Sequence, residues 1–354
     1  MISYDIVEHG KPLQRVMKDT PKPQGAEVLV RVTRSGVCHS DLHIWDGYFD
    51  LGGGKRFYVK DRGCVPPWTL GHEPFGVVEA LGPDARGVKV GEKKLVYPWI
   101  GCGKCATCAA GQDNYCLQHR FLGVSRPGAY STHVLVPDAK YLIAADGVED
   151  GFAATLACSG LTVYSAIRKL PTLTDRDWVV VLGCGGLGLI AISTLRALGI
   201  ERVIACDVDE AKFAAATAAG ARETVSSRDA ATALAQIQKS AGGAVAGALD
   251  FVGMPATFNL GTAALAKGGR YVLCGLFGGE VTVSLPPIAQ RAISIMGSYV
   301  GNPQELREVV ALAQSGKLKS TPVETRPATE VNRTMQELQA GKILGRVVLD
   351  LERT

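Results

Sequence analysis

Residues 179–188 have the sequence VVVLGCGGLG and are followed by the apolar segment LIAISTLRALG. An unbroken run of branched apolar residues is typical of a parallel strand that is buried on both faces. The glycines at positions 183, 185 and 188 then follow the spacing G-x-G-x-x-G, and the next segment has the composition of a helix. This stretch therefore predicts a buried strand, a tight glycine turn and a helix.

Each glycine of the turn meets a different steric requirement. Gly183 permits the tight bend, Gly185 lets the backbone approach a pyrophosphate, and Gly188 lets the helix pack against the strand. The helix would begin near Gly186 and Leu187, where free N–H groups and the positive end of the helix dipole face the phosphates. The turn therefore predicts a dinucleotide-binding site.

An acidic residue follows at the distance that such a site requires. Asp207 lies 19 residues after Gly188, at the carboxyl end of the apolar run RVIACD. Its carboxylate would hold the 2′-hydroxyl of an adenine ribose and repel a 2′-phosphate, which favours NAD over NADP. Further apolar runs at 247–253 and 269–278 alternate with alanine-rich segments. This part of the chain is therefore predicted to be a doubly wound parallel sheet, a Rossmann domain.

Composition limits the class of protein. The chain has 354 residues, 47% of them hydrophobic, which is enough for about two domains. Its 38 basic and 34 acidic residues are scattered, so nucleic acid is not an expected partner. No membrane association is expected, because four glycines interrupt the uncharged stretch 178–195. The N-terminal residues do not resemble a secretory signal, so we expect a cytoplasmic protein whose ten cysteines are thiols.

Four of these cysteines lie close together in a glycine-rich loop. Their spacing, C-x2-C-x2-C-x7-C, allows four thiolates to converge on one tetrahedral ion, which indicates structural zinc or an iron–sulfur cluster. An RNA-binding zinc knuckle is disfavoured, because the loop has one lysine and one aromatic residue. The four cysteines of this loop are Cys102, Cys105, Cys108 and Cys116. Four others, expected only to pack in the interior, are Cys64, Cys184, Cys206 and Cys274.

A second group of chemistry-bearing residues lies in the stretch GVCHSDLH, residues 36–43. It places one cysteine, two histidines, one serine and one aspartate almost side by side. Two further candidate ligands are His72, in LGHEPFGVV, and Cys158, in ATLACSGLTVYSAI. Taken alone, each of these residues is more often part of a core than a metal ligand. Local sequence leaves both interpretations open.

Taken together, the segments GVCHSDLH, GHE, CGKCATCAAGQDNYC, CSGLTVYSA, GCGGLG and GSYVGN resemble the zinc-dependent alcohol dehydrogenases of the medium-chain dehydrogenase/reductase family. Their order and approximate spacing match over nearly the whole chain, and the length is similar to that of the yeast and bacterial tetrameric branch. The resemblance implies an α/β protein with a GroES-like, β-rich catalytic domain formed by residues 1–157 and 298–354. The Rossmann domain, residues 158–297, would be inserted between them, and four copies would form a homotetramer.

The resemblance also implies two zinc ions in each subunit. Cys38, His72 and Cys158 would hold the catalytic zinc and leave its fourth position for water or substrate, and the four-cysteine loop would hold the structural zinc. Glu73 resembles the family glutamate that approaches the metal during ligand exchange. Asp41 resembles the carboxylate that orients the ligand histidine.

Proton transfer and coenzyme binding are implied at further positions. Ser40 would take the proton of the alcohol and pass it, through the nicotinamide ribose, to His43. His39 matches a position that contacts the pyrophosphate, and a histidine there implies comparatively fast NADH release. The other coenzyme contacts implied are Lys212 on the adenosine ribose, Arg346 on a phosphate, and Leu276, Phe277, Ser298 and Val300 at the nicotinamide carboxamide.

The activity implied is reversible, zinc-assisted oxidation of primary or simple secondary alcohols, aromatic ones included, by NAD. Tyr48, Phe49 and Trp99 are expected to line an aromatic pocket, and Cys158 argues against the polyol branch, in which an acid usually replaces it. Residues 50–68 form an insertion relative to the short yeast-type pattern, which is either a solvated surface segment or a lid beside the substrate.

Two alternative functions remain open from sequence. The basic insertion would also suit a family member specialised for another hydroxyl substrate, such as a hydroxyacyl thioester. A non-catalytic NAD or zinc sensor with the same fold is disfavoured by the intact set of implied ligands and the intact Ser40–His43 pair.

Overall fold

The computed structural model describes all 354 residues and contains a β-rich part and a parallel-sheet part. The strands of the β-rich part are β1 (Ile2–Ile6), β2 (Gln14–Met17), β3 (Val28–Val37), β4 (Tyr48–Gly52), β5 (Lys55–Tyr58), β6 (Trp68–Thr69), β7 (Pro74–Leu81), β8 (Lys93–Val96), β9 (His133–Val136), β10 (Leu142–Ile143), β17 (Val323–Pro327) and β18 (Arg346–Asp350). Those of the parallel sheet are β11 (Val179–Leu182), β12 (Val203–Asp207), β13 (Glu223–Ser226), β14 (Val245–Asp250), β15 (Leu265–Leu273) and β16 (Ser294–Gly297).

Eleven α-helices accompany these strands, and none is long and apolar enough to cross a membrane. They are α1 (His39–Asp46), α2 (Ala106–Ala109), α3 (Asp150–Thr155), α4 (Leu161–Ile167), α5 (Gly186–Ala197), α6 (Phe213–Ala219), α7 (Ala230–Ala241), α8 (Pro255–Ala264), α9 (Leu285–Arg291), α10 (Pro303–Gln314) and α11 (Val331–Gln339). The uncharged stretch 178–195 is divided among β11, the glycine turn and most of α5.

The predicted Rossmann sheet is confirmed. Its six strands are all parallel and lie in the order β13-β12-β11-β14-β15-β16, so the order reverses next to β11, where such sheets bind ligands. Val179 and Val181 pack into one hydrophobic cluster, whereas Val180 and Leu182 pack into another on the opposite face. Burial of both faces explains why β11 is an unbroken apolar run.

The β-rich part is built around a mostly antiparallel sheet in the order β10-β8-β7-β3-β18-β17, with β9 also paired to β3. Strand β18, from the end of the chain, is antiparallel to β3, and Val347 pairs with Val37. The C-terminal segment therefore returns to the sheet formed by the N-terminal segment. This mostly antiparallel sheet agrees with the β-rich catalytic part expected from the sequence.

A helical segment from Asp150 to Ile167 connects the two parts. Helix α3 packs against β3 of the β-rich sheet, whereas α4 packs against α5 of the Rossmann part. Between them, residues Leu156–Gly160 form one π-helical turn, which carries Cys158. Single π-helical turns within α-helices are rare and are frequently found at functional sites.

The insertion at residues 50–68 is ordered. Strands β4 and β5 form an antiparallel hairpin, a 3₁₀ turn follows at Val59–Arg62, and β6 then pairs with β1. The tip of the hairpin approaches the loop after β15, since a Cβ added at Gly52 would lie 2.6 Å from the Glu280 side chain. The insertion therefore reaches from the β-rich part towards the Rossmann part.

Candidate active site and metal centres

Three segments distant in sequence bring four metal-binding side chains together. Cys38 precedes α1, His72 and Glu73 lie just before β7, and Cys158 lies in the π turn. One ligand atom from each of these residues lies within 4.8 Å of those of the others, and all four residues are buried. The structure thus places the three predicted ligands, Cys38, His72 and Cys158, in one cluster together with Glu73.

The chemistry of this cluster suits zinc. A hydrogen bond from Cys158 lowers the pKa of the Cys38 thiol well below its usual value, although burial opposes the shift. Two sulfur atoms and one imidazole nitrogen form a donor set used by catalytic zinc, which keeps a fourth position for substrate. The residues present therefore fit a zinc ion, which Cys38, His72 and Cys158 would hold.

Asp41 fixes the orientation of the ligand histidine. Its Oδ1 is 3.0 Å from Nδ1 of His72, which turns Nε2 of the ring towards the cysteines. The Oδ2 of Asp41 accepts hydrogen bonds from the backbone N–H of Cys38, at 3.0 Å, and from the hydroxyl of Tyr130, at 2.8 Å. Asp41 and Tyr130 are both fully or almost fully buried, so this carboxylate positions two ligands at once. Sequence reasoning missed Tyr130, because no local sequence pattern distinguishes it from other buried tyrosines.

Glu73 connects the metal cluster to the coenzyme side of the cleft. Both of its carboxylate oxygens are 2.6 Å from Nη2 of Arg346, and Ser159 donates to Oε1 at 3.2 Å. Burial raises the pKa of Glu73 to about 7, while the Arg346 guanidinium opposes the shift. Arg346 also passes beside the glycine turn, since a Cβ added at Gly186 would lie 2.6 Å from its Cδ.

Helix α1 carries the predicted proton-transfer residues. The hydroxyl of Ser40 is 3.3 Å from Sγ of Cys38 and 3.3 Å from Nε2 of His72, so it lies at the metal cluster. His43 lies one turn later, with its ring 4.7 Å from Phe49, and its buried Nε2 has no hydrogen-bond partner in the protein. Burial lowers the pKa of both His39 and His43, which favours neutral rings at pH 7.

The four cysteines of the glycine-rich loop form the second cluster. The Sγ atom of Cys105 is 3.5 Å from that of Cys108 and 3.8 Å from that of Cys116, and Cys102 lies 4.0 Å from Cys108. Four sulfurs at the corners of a tetrahedron around one zinc are about 3.8 Å apart, because each Zn–S bond is about 2.3 Å. The spacing thus suits a single ion better than a cluster of several irons. Hydrogen bonds led by the N–H of Lys104 lower the pKa of Cys102 to about 6.

The glycine turn has the geometry that its sequence predicts. Gly183 has a φ of +91°, and a Cβ at Gly188 would overlap the carbonyl oxygen of Gly183. A Cβ at Gly185, in contrast, would meet no protein atom within 4 Å. The open side of Gly185 is the side from which a pyrophosphate would approach the start of α5.

Asp207 also shapes this turn. It lies buried at the end of β12, and its Oδ2 accepts a hydrogen bond of 2.7 Å from the N–H of Cys184. Its Oδ1 accepts from Lys212 Nζ at 3.2 Å, so the two predicted ribose contacts are already adjacent. The structure therefore brings the glycine turn, Asp207 and Lys212 into one site.

Of the four residues predicted at the nicotinamide, two have backbone N–H groups that already make hydrogen bonds within the protein. The N–H of Phe277 donates to the carbonyl of Val252, and that of Ser298 donates to the carbonyl of Leu273, so neither N–H is free to donate to a carboxamide oxygen. The N–H groups of Leu276 and Val300 make no hydrogen bond within the protein. His39 lies close by, with its ring 4.7 Å from that of Phe277.

Several aromatic side chains lie next to the metal cluster. The ring of Trp99 is 5.2 Å from that of His72, and it also contacts Phe121, at 5.4 Å, and Tyr299, at 6.3 Å. Of the predicted pocket residues, Trp99 therefore lies beside the metal cluster. Phe49 lies beside His43, whereas Tyr48 packs within the hairpin beneath Arg56. Sequence reasoning missed Phe121 and Tyr299, although Tyr299 lies in the quoted segment GSYVGN.

Comparison with known proteins agrees with this geometry. Residues 24–146 match the alcohol dehydrogenase GroES-like domain, and residues 186–315 match the zinc-binding dehydrogenase domain. The chain is 36% identical over 351 residues to an NAD-dependent alcohol dehydrogenase of Sulfurisphaera tokodaii, covering 99% of each chain.

Two solved structures are similar over essentially their full lengths. An alcohol dehydrogenase from Aeropyrum pernix has a TM-score of 0.89 at 31% identity, with 99% of this chain and all of that chain covered. An acetophenone reductase from Geotrichum candidum, solved with NAD, has a TM-score of 0.85 at 28% identity, with 100% and 98% covered. The chain belongs to the zinc-dependent alcohol dehydrogenases of the medium-chain dehydrogenase/reductase family, and it is an oxidoreductase.

Proposed function

We propose that this enzyme oxidises primary or simple secondary alcohols, aromatic ones included, to aldehydes or ketones, and that the reaction is reversible. The enzyme uses NAD and zinc. Each subunit would hold two zinc ions, one in the Cys38–His72–Cys158 cluster and one in the four-cysteine loop. When bound, the catalytic zinc would make the alcohol proton more acidic, and NAD would take up the hydride.

The observation that carries this proposal is the link between the metal cluster and the glycine turn. A carboxylate oxygen of Glu73 lies within 4.8 Å of the ligand atoms of the metal cluster, and the carboxylate is paired with Arg346. Arg346 in turn packs against Gly186 at the start of α5. The two halves of the site are therefore joined through one buried ion pair. A bound alcohol and a bound nicotinamide would face each other in the same cleft, as hydride transfer requires.

The residues of α1 would move the proton. The Ser40 hydroxyl lies 3.3 Å from Sγ of Cys38 and 3.3 Å from Nε2 of His72. It would accept the proton of an alcohol bound at this cluster while it passes its own proton on. The neutral ring of His43 can accept a proton from the coenzyme ribose, and its unpaired Nε2 is available for this. Asp41 acts as a positioning residue, because it holds both His72 and the backbone of Cys38.

The choice of coenzyme would depend on Asp207. Its carboxylate is buried at the end of β12 beside Lys212, where it can accept a hydrogen bond from a ribose hydroxyl. The negative charge would repel the 2′-phosphate of NADP. The relative from Sulfurisphaera tokodaii is described as NAD-dependent, which supports the same preference here.

Initial rates of NADH formation test the proposal. The panel is ethanol, hexanol, benzyl alcohol and cinnamyl alcohol, each with NAD and with NADP, and acetaldehyde or benzaldehyde with NADH for the reverse direction. We expect turnover with NAD, higher kcat/KM for the larger alcohols because of the aromatic wall, and little with NADP. No turnover by a preparation that holds zinc and binds NADH would contradict the proposed activity.

The division of the chain is also a proposal. Residues 1–157 and 298–354 would form the catalytic domain, and residues 158–297 the NAD domain. The pairing of β18 with β3 and the contact of α4 with α5 support these limits. A homotetramer, proposed from the resemblance alone, would be tested by light scattering coupled to size-exclusion chromatography.

A further inference from the structure

A cavity lined by none of the residues of the Cys38–His72–Cys158 cluster contains a basic residue of the insertion. This cavity, of about 740 Å³, lies between the 3₁₀ turn of the insertion and the segment after the four-cysteine loop. Its lining includes Arg62, Asn114, His119, Phe121 and Tyr299. This volume is in the range of small-molecule sites, which are commonly about 300–1,000 Å³.

An aromatic wall joins this cavity to the metal cluster. Trp99 touches the ligand His72 on one side, with ring centres 5.2 Å apart. On the other side it touches Phe121 and Tyr299, whose rings are 6.3 Å from each other and which both line the cavity. These rings therefore place the cavity next to the metal cluster, on the far side of Trp99.

The charge of Arg62 is uncompensated. No carboxylate lies within 4.0 Å of its guanidinium, which instead rests on the ring of Phe57, at 4.8 Å from the ring centre. Asp61 also lines the cavity, but it makes no ion pair with Arg62. Burial raises the pKa of Tyr299, and Arg62 opposes that rise; burial lowers the pKa of His119, and Arg62 lowers it further. Arg62 therefore presents a guanidinium without an ion-pair partner to this cavity, which Asp61 and Cys116 also line.

We propose that Arg62 binds a carboxylate at the end of the substrate remote from the hydroxyl, so that the preferred substrates are hydroxycarboxylic acids. This inference rests on the proposed function and deepens it. The planar guanidinium suits a carboxylate because it can donate two parallel N–H···O bonds. The adjacent ring of Phe57 restricts the arginine, which lowers the entropy cost of binding, and the Tyr299 hydroxyl can donate a further hydrogen bond.

The test compares ω-hydroxycarboxylic acids of four to eight carbons with 1-alkanols of the same lengths, in wild type and in Arg62→Gln. We expect wild-type kcat/KM to favour the best acid over its matched alcohol by at least about fivefold. In Arg62→Gln this ratio should fall to about 1, and in Arg62→Lys it should be intermediate. High salt should reduce the wild-type ratio, because the guanidinium is exposed.

Arg56→Gln is the matched control. It removes the same charge from the same insertion, but Arg56 lies over Tyr48 and does not line the cavity. The acid-to-alcohol ratio of kcat/KM in Arg56→Gln should therefore remain that of wild type. A wild-type ratio near 1, or a ratio that Arg62→Gln leaves unchanged, would overturn the inference.

If no substrate is turned over, the proposed activity and the proposed carboxylate site at Arg62 can still be tested separately. If neither series reacted, the proposed activity would fail, and titration calorimetry with 6-hydroxyhexanoate would test Arg62 independently. Binding weakened at least about fivefold by Arg62→Gln, and not by Arg56→Gln, would support the carboxylate site. Equal binding by all three proteins, or none, would overturn it. A preference for a hydroxyacyl thioester over both series would also overturn it and would favour a larger anionic substrate.

Discussion

Two glycines of the same turn, Gly185 and Gly188, should separate coenzyme binding from folding. Gly185 has φ −79° and ψ −160°, which alanine also adopts, and an added Cβ would meet no protein atom within 4 Å. At Gly188 the same atom would overlap the carbonyl oxygen of Gly183, which is backbone and cannot rotate away. The single change of glycine to alanine is therefore expected to act on different properties at the two positions.

The magnitudes follow from these surroundings. In Gly185→Ala, the loss of a helix-capping glycine and the lower entropy of the unfolded chain oppose each other, so the free energy of unfolding should change by less than about 1 kcal/mol. The methyl group would keep a pyrophosphate from the N–H groups at the start of α5. One charge-assisted hydrogen bond contributes about 1.5–3 kcal/mol, so NADH should bind roughly 10- to 150-fold more weakly. Gly188→Ala should lose about 1–3 kcal/mol of stability or more.

Two measurements on each variant distinguish an effect on coenzyme binding from an effect on stability. Thermal unfolding should give a melting temperature near that of wild type for Gly185→Ala and several degrees lower for Gly188→Ala. Titration of NADH fluorescence should show weakened binding by Gly185→Ala. If Gly185→Ala bound NADH as wild type does, or Gly188→Ala were as stable as wild type, our description of the turn would be refuted.

Three further predictions concern the coenzyme, the buried ion pair and the proton path. Asp207→Ala should lower the kcat/KM ratio of NAD over NADP by about 10- to 100-fold, because it removes the ribose acceptor and the repulsive charge; an unchanged ratio would contradict this. Arg346→Met should lower the free energy of unfolding, measured in urea, by about 3–5 kcal/mol, because it leaves Glu73 buried without its partner. The second substitution Glu73→Leu should restore part of that loss; no recovery would argue against a stabilising ion pair. Burial lowers the pKa of His43 below its usual value of about 6.5, so its ring gains a proton only below that pH, and kcat should fall there. His43→Ala should have a lower kcat and should lose this inflection in the plot of kcat against pH. A pH profile identical to that of wild type would exclude proton transfer through His43.

The parts of the fold and site that could be predicted from sequence are those whose chemistry is local. The glycine turn needs three glycines within six residues, and the metal loop needs four cysteines within fifteen, so both patterns are visible in a single stretch. The unbroken apolar run of β11 likewise predicts burial on both faces. For Cys38, His72 and Cys158, the family resemblance supplied what spacing alone did not.

The contacts that sequence could not predict join residues far apart in the chain. Asp41 accepts a hydrogen bond from Tyr130, 89 positions away, and Glu73 pairs with Arg346, 273 positions away. Neither pair has a local pattern, because the return of β18 to β3 and the packing of β-rich segments bring them together. The course of the insertion is equally hidden, since no local pattern indicates that Arg62 and Tyr299 line the same cavity.

The zinc content and the NAD-dependent alcohol oxidation rate of one and the same sample test the central claim most directly. Elemental analysis should find two zinc ions per wild-type subunit. It should find one in Cys158→Ser, which should retain the wild-type fold by circular dichroism and have no measurable turnover. Two zinc ions together with wild-type activity in Cys158→Ser would contradict the assignment of Cys38, His72 and Cys158 as the catalytic metal site.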